Sequence, residues 1–224
     1  MKPHLTAATS RRSLVCGALA LGITGLAGLA TGCSTGTQDE SAVDAPASPA
    51  RGGRVLLAYF SRPGQNYYYG DRTVLDVGNT EILAGLIADR TECDVHRIEP
   101  AQAYPFDYEE TVEQNRREQQ GNARPAIAGP LNSIAEYDVV ILASPVWNSS
   151  APMIMRTFTE ALDFGGKTVY PVTTHAVSGL SGVPSVYEQS CPGAIIGVGL
   201  AVQGEIVGDA AGSVDEWLRG VGLQ

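Results

Sequence analysis

The segment VLLAYFSRPGQNYYYG, residues 55 to 70, contains the feature from which the fold can be predicted. Its first six residues, Val55 to Phe60, are all apolar, which predicts a strand buried on both faces. The strand is followed at once by a polar turn, Ser61 to Gly64, and then by three consecutive tyrosines. A polar turn directly after a buried strand is a common place for a bound ligand, so the segment raises the question of which ligand this turn holds.

Apolar runs alternate with amphipathic segments along the rest of the chain. Strands are predicted over residues 54–60, 94–99, 137–144, 167–174 and 194–202, and helices over 78–90, 107–121, 151–162, 183–190 and 213–222. Five strands alternating with helices predict an α/β fold, a doubly wound parallel sheet with helices on both faces. Such sheets bind ligands at the carboxyl ends of their strands, so the loops that start at Ser61, Ser144 and Thr174 are the candidate site.

The first 53 residues predict export and membrane attachment. Residues 1–32 combine the pair Arg11-Arg12 with an apolar run that is rich in Gly and Ala, which is typical of a Tat-type signal peptide. Small residues precede Cys33, as in a lipobox, so Cys33 is predicted to carry the lipid anchor; a plain cleavage site is the alternative. Residues 33–53 are rich in Ser, Ala, Pro and acidic residues and predict a flexible tether, with the folded domain over 54–224.

The charge of the chain excludes one class of partner. The sequence of 224 residues has 15 Lys and Arg against 24 Asp and Glu, a net charge of -9. Removal of the predicted signal, which contains basic but no acidic residues, makes the remainder still more acidic. We expect no binding to nucleic acid, whose phosphates would be repelled. A basic partner would suit this surface, although an acidic surface also simply keeps a protein soluble.

The first and most detailed candidate is an anion site made without lysine. Ser61, Gly64, Asn66, Asn79 and Thr80 bring hydroxyls, amides and backbone N–H groups to the start of the predicted helix 78–90, whose positive dipole end favours an anion. A Walker loop requires a lysine and a nicotinamide fingerprint requires G-x-G-x-x-G, and this segment has neither. A helix N-cap followed by an ordinary loop is the alternative.

Three motifs of the sequence resemble the flavodoxin family, in particular the branch with an insertion in the phosphate loop. They are LLAYFSRPGQN…VGNTEILAGLIA, YDVVILASPVWNSSAPM and GGKTVYPVTTHAVSGLSG. The resemblance covers residues 54–224 and implies a flavodoxin-like sheet of strand order 2-1-3-4-5 that binds FMN, with the phosphate in the first loop. The insertion runs from Tyr67 to Gly78, and its tyrosines could cover the cofactor or pack on the surface. Pro63 stands where the family usually has a hydroxyl, a loss of about tenfold to a hundredfold in affinity unless another residue replaces the contact.

The resemblance also implies the site residues. The two later loops would enclose the flavin ring, with Trp147 stacked on it and His175 able to tune its charge, while Trp147 could instead fill a gap and His175 could be solvated. Arg62 is a candidate phosphate ligand that could also point outward. The residues predicted to bind the cofactor are Ser61, Arg62, Pro63, Gly64, Asn66, Asn79, Thr80, Ser144, Pro145, Val146, Trp147, Asn148, Thr174, His175, Ser178 and Gly179. No metal site and no certain catalytic residue are predicted.

The resemblance implies a redox function, because the flavin carries the chemistry. We expect electron transfer between envelope partners, either a redox protein or the membrane quinone pool, on the extracytoplasmic side of the cell membrane. A reductase of quinones or similar small acceptors and a flavin-free binding module are the alternatives. The implied strand order places Cys93 and Cys191 at opposite sheet edges, about 19 Å apart. A disulfide needs Cα atoms within about 7 Å, so no disulfide between them is expected.

Overall fold

The computed structural model describes residues 53–224. The predictions of a signal peptide, of lipidation at Cys33 and of a tether lie outside the described residues. The strands are β1 Val55–Tyr59, β2 Gly64–Tyr68, β3 Asp71–Leu75, β4 Asp94–Arg97, β5 Glu99–Pro100, β6 Ile127–Ala128, β7 Val139–Pro145, β8 Thr168–His175, β9 Ile195–Ile196 and β10 Leu200–Gln203. The helices are α1 Asn79–Ala88, α2 Tyr108–Gln120, α3 Met153–Glu160, α4 Val183–Ser190 and α5 Ala211–Gly220, with a 3-10 helix at Gly204–Asp209.

The central sheet has the order β4-β1-β7-β8-β10, and all of its neighbouring strands are parallel. Leu57 of β1, for example, pairs with Val95 of β4 and with Ile141 of β7. Numbered by their place along the chain, these five strands have the order 2-1-3-4-5. The predicted α/β, doubly wound fold is therefore confirmed.

Each face of this sheet carries its own hydrophobic core. Leu56 and Ala58 of β1 lie in a cluster with residues of α3 and α4, whereas Leu57 and Tyr59 lie in a second cluster with residues of α1 and α5. Successive side chains of a strand point to opposite faces, so a strand covered on both faces must be apolar throughout. This is why the run from residue 55 to 60 is uninterrupted.

The edge strand predicted over 194–202 is broken into β9 and β10, both paired with β8. Backbone N–H groups of this edge donate to the carbonyls of Lys167 and Val169. Pro171 lies two residues after Val169 and therefore faces the same edge, but a proline has no N–H to donate to it. The residues between the two pieces include Gly197, where a Cβ would lie 2.3 Å from the Tyr170 ring. The break therefore follows from a proline inside β8 and from the close approach of the two chains.

Residues 64–75 form an antiparallel hairpin of β2 and β3, which was not predicted from the sequence and which starts three residues before the predicted insertion. Its two-residue turn is Tyr69-Gly70, with φ of 47° and 93°. Positive φ at both turn positions is typical of the type I′ turns that match the twist of a hairpin. The predicted strand 94–99 is also shorter: β4 ends at Arg97, and Glu99–Pro100 pairs instead with Ile127–Ala128.

The two cysteines of the described chain are free. Cys191 is buried in the core cluster beside α4, and the half-buried Cys93 packs against the cluster on the other face of the sheet. Their separation follows from the strand order, since one precedes β4 and the other precedes β9. Within residues 53–224 we find no helix with the length and apolar character needed to cross a membrane.

Candidate functional site

A cavity of about 300 Å³ lies at the carboxyl ends of β1, β7 and β8. Its volume is at the lower end of the range for small-molecule sites, roughly 300–1,000 Å³. Ten of the sixteen predicted site residues line it: Arg62, Asn66, Asn79, Thr80, Pro145, Val146, Trp147, Asn148, Thr174 and His175. The structure thus brings residues from all three predicted loops together.

The other six predicted residues do not line this cavity: Ser61, Pro63, Gly64, Ser144, Ser178 and Gly179. Ser61 caps the first turn of α1 and does not face the cavity, because its Oγ accepts a hydrogen bond from the backbone N–H of Glu81 at 3.1 Å. Pro63 and Ser178 are exposed, whereas Ser144 is fully buried. The proline that departs from the usual family pattern therefore faces solvent and is not part of the cavity wall.

One end of the cavity is the first turn of α1. The backbone N–H groups of Asn79 and Thr80 belong to this turn and have no acceptor within the helix. The Thr80 hydroxyl is buried and lies 2.7 Å from the equally buried hydroxyl of Thr174, which joins the start of α1 to the end of β8. The helix dipole and the free N–H groups make this end suited to an anion.

Gly78 and Gly64 are required at this end for different reasons. A Cβ at Gly78 would lie 2.3 Å from Ser61 Oγ, so a side chain there would push away the residue that caps α1. Gly64 has φ of +94°, which other residues rarely adopt, and a Cβ there would lie 2.9 Å from the Phe106 carbonyl oxygen. At both glycines the backbone approaches its neighbours more closely than a side chain would allow.

Arg62 is buried, and the alternative that it points outward is wrong. Its Nη1 donates to the carbonyls of Pro105 at 2.8 Å and Phe106 at 3.2 Å, and its Nη2 donates to the carbonyl of Gln65. Burial lowers the pKa of the guanidinium below its ordinary value, although Asp107 opposes this shift. Its Nε has no partner among the described residues. Arg62 therefore holds the hairpin against the segment before α2 and keeps one donor free beside the cavity.

Trp147 lies in an aromatic cluster. Its ring meets Phe60 edge-to-face at 5.4 Å and Tyr104 edge-to-face at 5.0 Å between centroids. It is only partly buried and also lines the cavity. Its backbone is fixed as well, since the N–H groups and carbonyls of Trp147 and Ser150 bond each other. Trp147 therefore fills a gap between loop and core and also lines the cavity, while its stacking on a flavin ring stays a prediction.

His175, at the end of β8, is half-buried, and its Nδ1 has no partner within the described part of the chain. Burial lowers the pKa of His175, while the nearby Glu205 and the backbone of Ala176 oppose the shift. Glu205 also lines the cavity and accepts a hydrogen bond from the backbone N–H of Tyr69 at 3.1 Å. The tip of the hairpin is thereby attached to the 3-10 helix beside the cavity.

The comparisons with known proteins agree with this geometry. A family model described as flavodoxin matches residues 73–220. The chain belongs to the flavodoxin family. A search of curated proteins finds no match to this flavodoxin.

Solved structures similar to this flavodoxin include two from Bacteroides. A presumed flavoprotein from Bacteroides uniformis is 30% identical, with a TM-score of 0.60, and the match covers 75% of this chain and 99% of that one. A second from Bacteroides eggerthii is 25% identical, with a TM-score of 0.60 and coverage of 77% and 99%. A flavoprotein in complex with FMN from Lactobacillus acidophilus, 17% identical with a TM-score of 0.52 and coverage of 74% and 98%, shares the fold.

Helix α2 forms one wall of the flavodoxin cavity, and this wall was not predicted from the sequence. Tyr108, Thr111, Val112 and Asn115 all line the cavity from this helix. Their spacing of i, i+3, i+4 and i+7 puts them on one helical face, a signal that was present in the sequence. This spacing is hard to recognise because the helix is polar and the four lining residues include only one aliphatic side chain, Val112. Tyr67, Ala176, Gly204 and Glu205 complete the lining.

The hairpin and α2 are joined at the cavity by a cation. The guanidinium of Arg72 lies 3.7 Å from the centroid of the Tyr108 ring and 6.0 Å from that of Tyr67. Its Nη2 also donates to Glu109 at 2.8 Å. Tyr67 lines the cavity, whereas Tyr68 and Tyr69 are 46% and 60% exposed. Only Tyr67 of the triplet is thus placed where it could cover a bound cofactor. Residues 53–224 contain no cluster of His, Cys, Asp or Glu that could hold a metal ion.

Proposed function

We propose that this flavodoxin binds FMN in the cavity and transfers electrons between envelope partners. The observation that carries the proposal is the composition of the cavity wall: the first turn of α1 at one end, with the Thr80–Thr174 hydroxyl pair, and Trp147 and His175 among its other lining residues. An end that attracts anions, combined with a flat aromatic surface, matches a phosphate joined to a planar ring. Pro63, the departure from the usual family pattern, is exposed and does not line the cavity, so it does not block a ligand there.

The residues present fit FMN. Asn79 and Thr80 would hold the phosphate through amide, hydroxyl and backbone N–H donors, and the buried positive charge of Arg62 also lines the cavity. Asn66 lines the cavity too, but its Nδ2 donates to the Gly64 carbonyl at 3.0 Å and so stabilises the turn. Trp147 would cover the ring, because its own position is fixed by Phe60 and Tyr104. Bound FMN would supply reversible acceptance and donation of electrons.

The chain itself would set the environment of that ring. Burial lowers the pKa of His175 and so favours the neutral imidazole, which carries a proton on one ring nitrogen and can accept a hydrogen bond on the other. The apolar and aromatic lining, Val146, Trp147, Tyr67 and Tyr108, would exclude water from the ring. Both effects would shift the potential at which the bound cofactor accepts electrons.

A titration of the apo-protein with FMN tests this proposal. Saturable quenching of flavin fluorescence at one FMN per chain is expected, with a change in Trp147 emission. An absence of saturation together with unchanged tryptophan emission would refute FMN binding and favour the flavin-free binding module.

A reductase of quinones or similar small acceptors is the second candidate. It is favoured by Tyr67 and Tyr108, two further aromatic side chains on the cavity wall beside which a planar acceptor could pack. Stopped-flow oxidation of the reduced, FMN-loaded protein separates the candidates. A rate that saturates with quinone concentration supports the reductase, whereas a linear dependence supports a carrier that has no acceptor site.

The location is proposed from the sequence. Export through Arg11-Arg12, lipidation of Cys33 and a tether of residues 33–53 would place the domain at the outer side of the cell membrane, near quinones or a redox protein. Replacing Arg11 and Arg12 by lysine should block Tat export, and Cys33→Ala should release the protein from the membrane. Unchanged fractionation of either variant would contradict the corresponding step.

A further inference from the structure

Asn115 is buried in α2 with its carboxamide oxygen unsatisfied. Only 3% of the residue is exposed, and Oδ1 has no hydrogen-bond partner among the described residues. The same side chain lines the cavity. Leaving a buried acceptor unpaired costs free energy that a leucine of similar shape would not cost.

The neighbouring polar residue on the same helical face differs. Thr111 is also buried and lines the cavity, yet its hydroxyl donates to the carbonyls of Pro105 at 3.0 Å and Asp107 at 2.7 Å. Polar groups of this helix are therefore satisfied where the protein can supply a partner. Asn115 is the exception, and its position at the cavity indicates a partner on a bound ligand.

We infer that α2 is a ligand-binding wall and that the Asn115 carboxamide oxygen accepts a hydrogen bond from the bound flavin. The inference rests on the proposed function for the identity of the ligand. An acceptor needs a donor, and FMN offers donors of two kinds: the N–H at position 3 of the ring and the hydroxyls of the ribityl chain. Both present the same chemistry to Asn115, so the ligands used in the test must distinguish them.

The interaction predicts opposite effects of Asn115→Leu on the apo-protein and on the complex. Without ligand, the variant loses an unsatisfied buried group, so its urea midpoint should be equal to or higher than that of the wild type. With ligand, it loses a hydrogen bond, so the Kd for FMN should rise about tenfold. A purely structural Asn115 would give a lower midpoint and an unchanged Kd.

Thr159→Val is the matched control. The Thr159 hydroxyl is fully buried but satisfied by Met155 and Ser190, and the residue does not line the cavity. This variant should lower the urea midpoint and leave the Kd for FMN unchanged. Asn115→Ala serves as a second variant in case leucine is not accommodated, with the same expected rise in Kd.

Two analogues locate the donor. If the ring N–H is the partner, wild type and Asn115→Leu should bind 3-methyl-FMN equally, while lumiflavin, which has no ribityl chain, should retain the tenfold difference. If a ribityl hydroxyl is the partner, wild type and Asn115→Leu should bind lumiflavin equally, while 3-methyl-FMN should retain the tenfold difference. Equal Kd values of wild type and both Asn115 variants for FMN would overturn the inference while leaving FMN binding intact. Failure of the wild type to bind FMN would instead overturn the proposed function.

Discussion

The hydroxyl pair of Thr80 and Thr174 should behave as a coupled unit. The two oxygens are 2.7 Å apart, and the two residues are 1% and 4% exposed, so neither hydroxyl can turn to solvent. Thr80→Val keeps the shape of the side chain but leaves the Thr174 hydroxyl buried and unpaired, at a cost of about 1–3 kcal/mol. Thr174→Val should cost a similar amount for the same reason.

The double variant should be less destabilised than the sum of the single variants. Replacing both partners by apolar groups of the same shape is close to neutral, so the two changes together should cost under about 1 kcal/mol. The coupling free energy, the sum of the two single costs minus the cost of the double variant, is then at least about 1 kcal/mol, as found for contacting residues. Urea denaturation of the apo-protein measures it: with a slope of about 2 kcal/mol per molar urea, each single change lowers the midpoint by about 0.5–1.5 M.

FMN binding gives the second half of this test. If Thr80 contacts the phosphate as proposed, Thr80→Val should weaken FMN by about tenfold to a hundredfold and should weaken riboflavin, which has no phosphate, much less. Additive destabilisation by the two valines would show that the hydroxyl pair contributes nothing to the apo-protein. Equal losses for FMN and riboflavin would refute the phosphate contact.

Three further changes test other parts of the site. Trp147→Ala should lower the free energy of unfolding by about 2–4 kcal/mol, because two edge-to-face contacts are lost. Trp147→Phe should lower it by less, and thermal denaturation measures both changes. Because the pKa of His175 is lower in the folded state than in the unfolded state, stability should fall as the pH drops below about 6.5, towards the lower pKa of the folded state. His175→Asn should reduce this slope, and the remainder is attributable to His96, whose pKa burial also lowers. Arg62→Ala should free the hairpin and speed its proteolysis, whereas loss of the exposed Arg116 ion pair should not.

The sheet could be predicted from the sequence because its strands are buried on both faces. Val55 to Phe60 is apolar at every position, and this pattern has few interpretations other than a central parallel strand. Loop positions followed directly, since the carboxyl ends of parallel strands lie at one edge. The strand order came from the resemblance, because no local pattern specifies which strands are neighbours.

The hairpin was missed because its turn lacks the usual signal. A type I′ turn is normally recognised by Asn-Gly or Asp-Gly, but here the first turn residue is Tyr69, which adopts φ of 47°. The strand before the turn begins at a glycine and consists mainly of polar and tyrosine residues, so it shows no apolar alternation. The hairpin is held by contacts remote in sequence, such as Arg62 to Pro105 and Tyr69 to Glu205, which a local pattern cannot reveal.

The distribution of site residues along the chain bears on when the cofactor can be loaded. The cavity wall runs from Arg62 to Glu205 and includes residues from three strand ends, α2 and the hairpin, so no part of the chain contains the site before the sheet has formed. A ligand of such a site binds and stabilises the folded state only, so FMN, if it binds as proposed, must be loaded after folding. A protein of this kind that acts outside the cytoplasm needs either free flavin there or export in the folded, loaded form. The predicted twin-arginine signal is consistent with the second route, which ties the architecture of the cavity to the choice of export pathway.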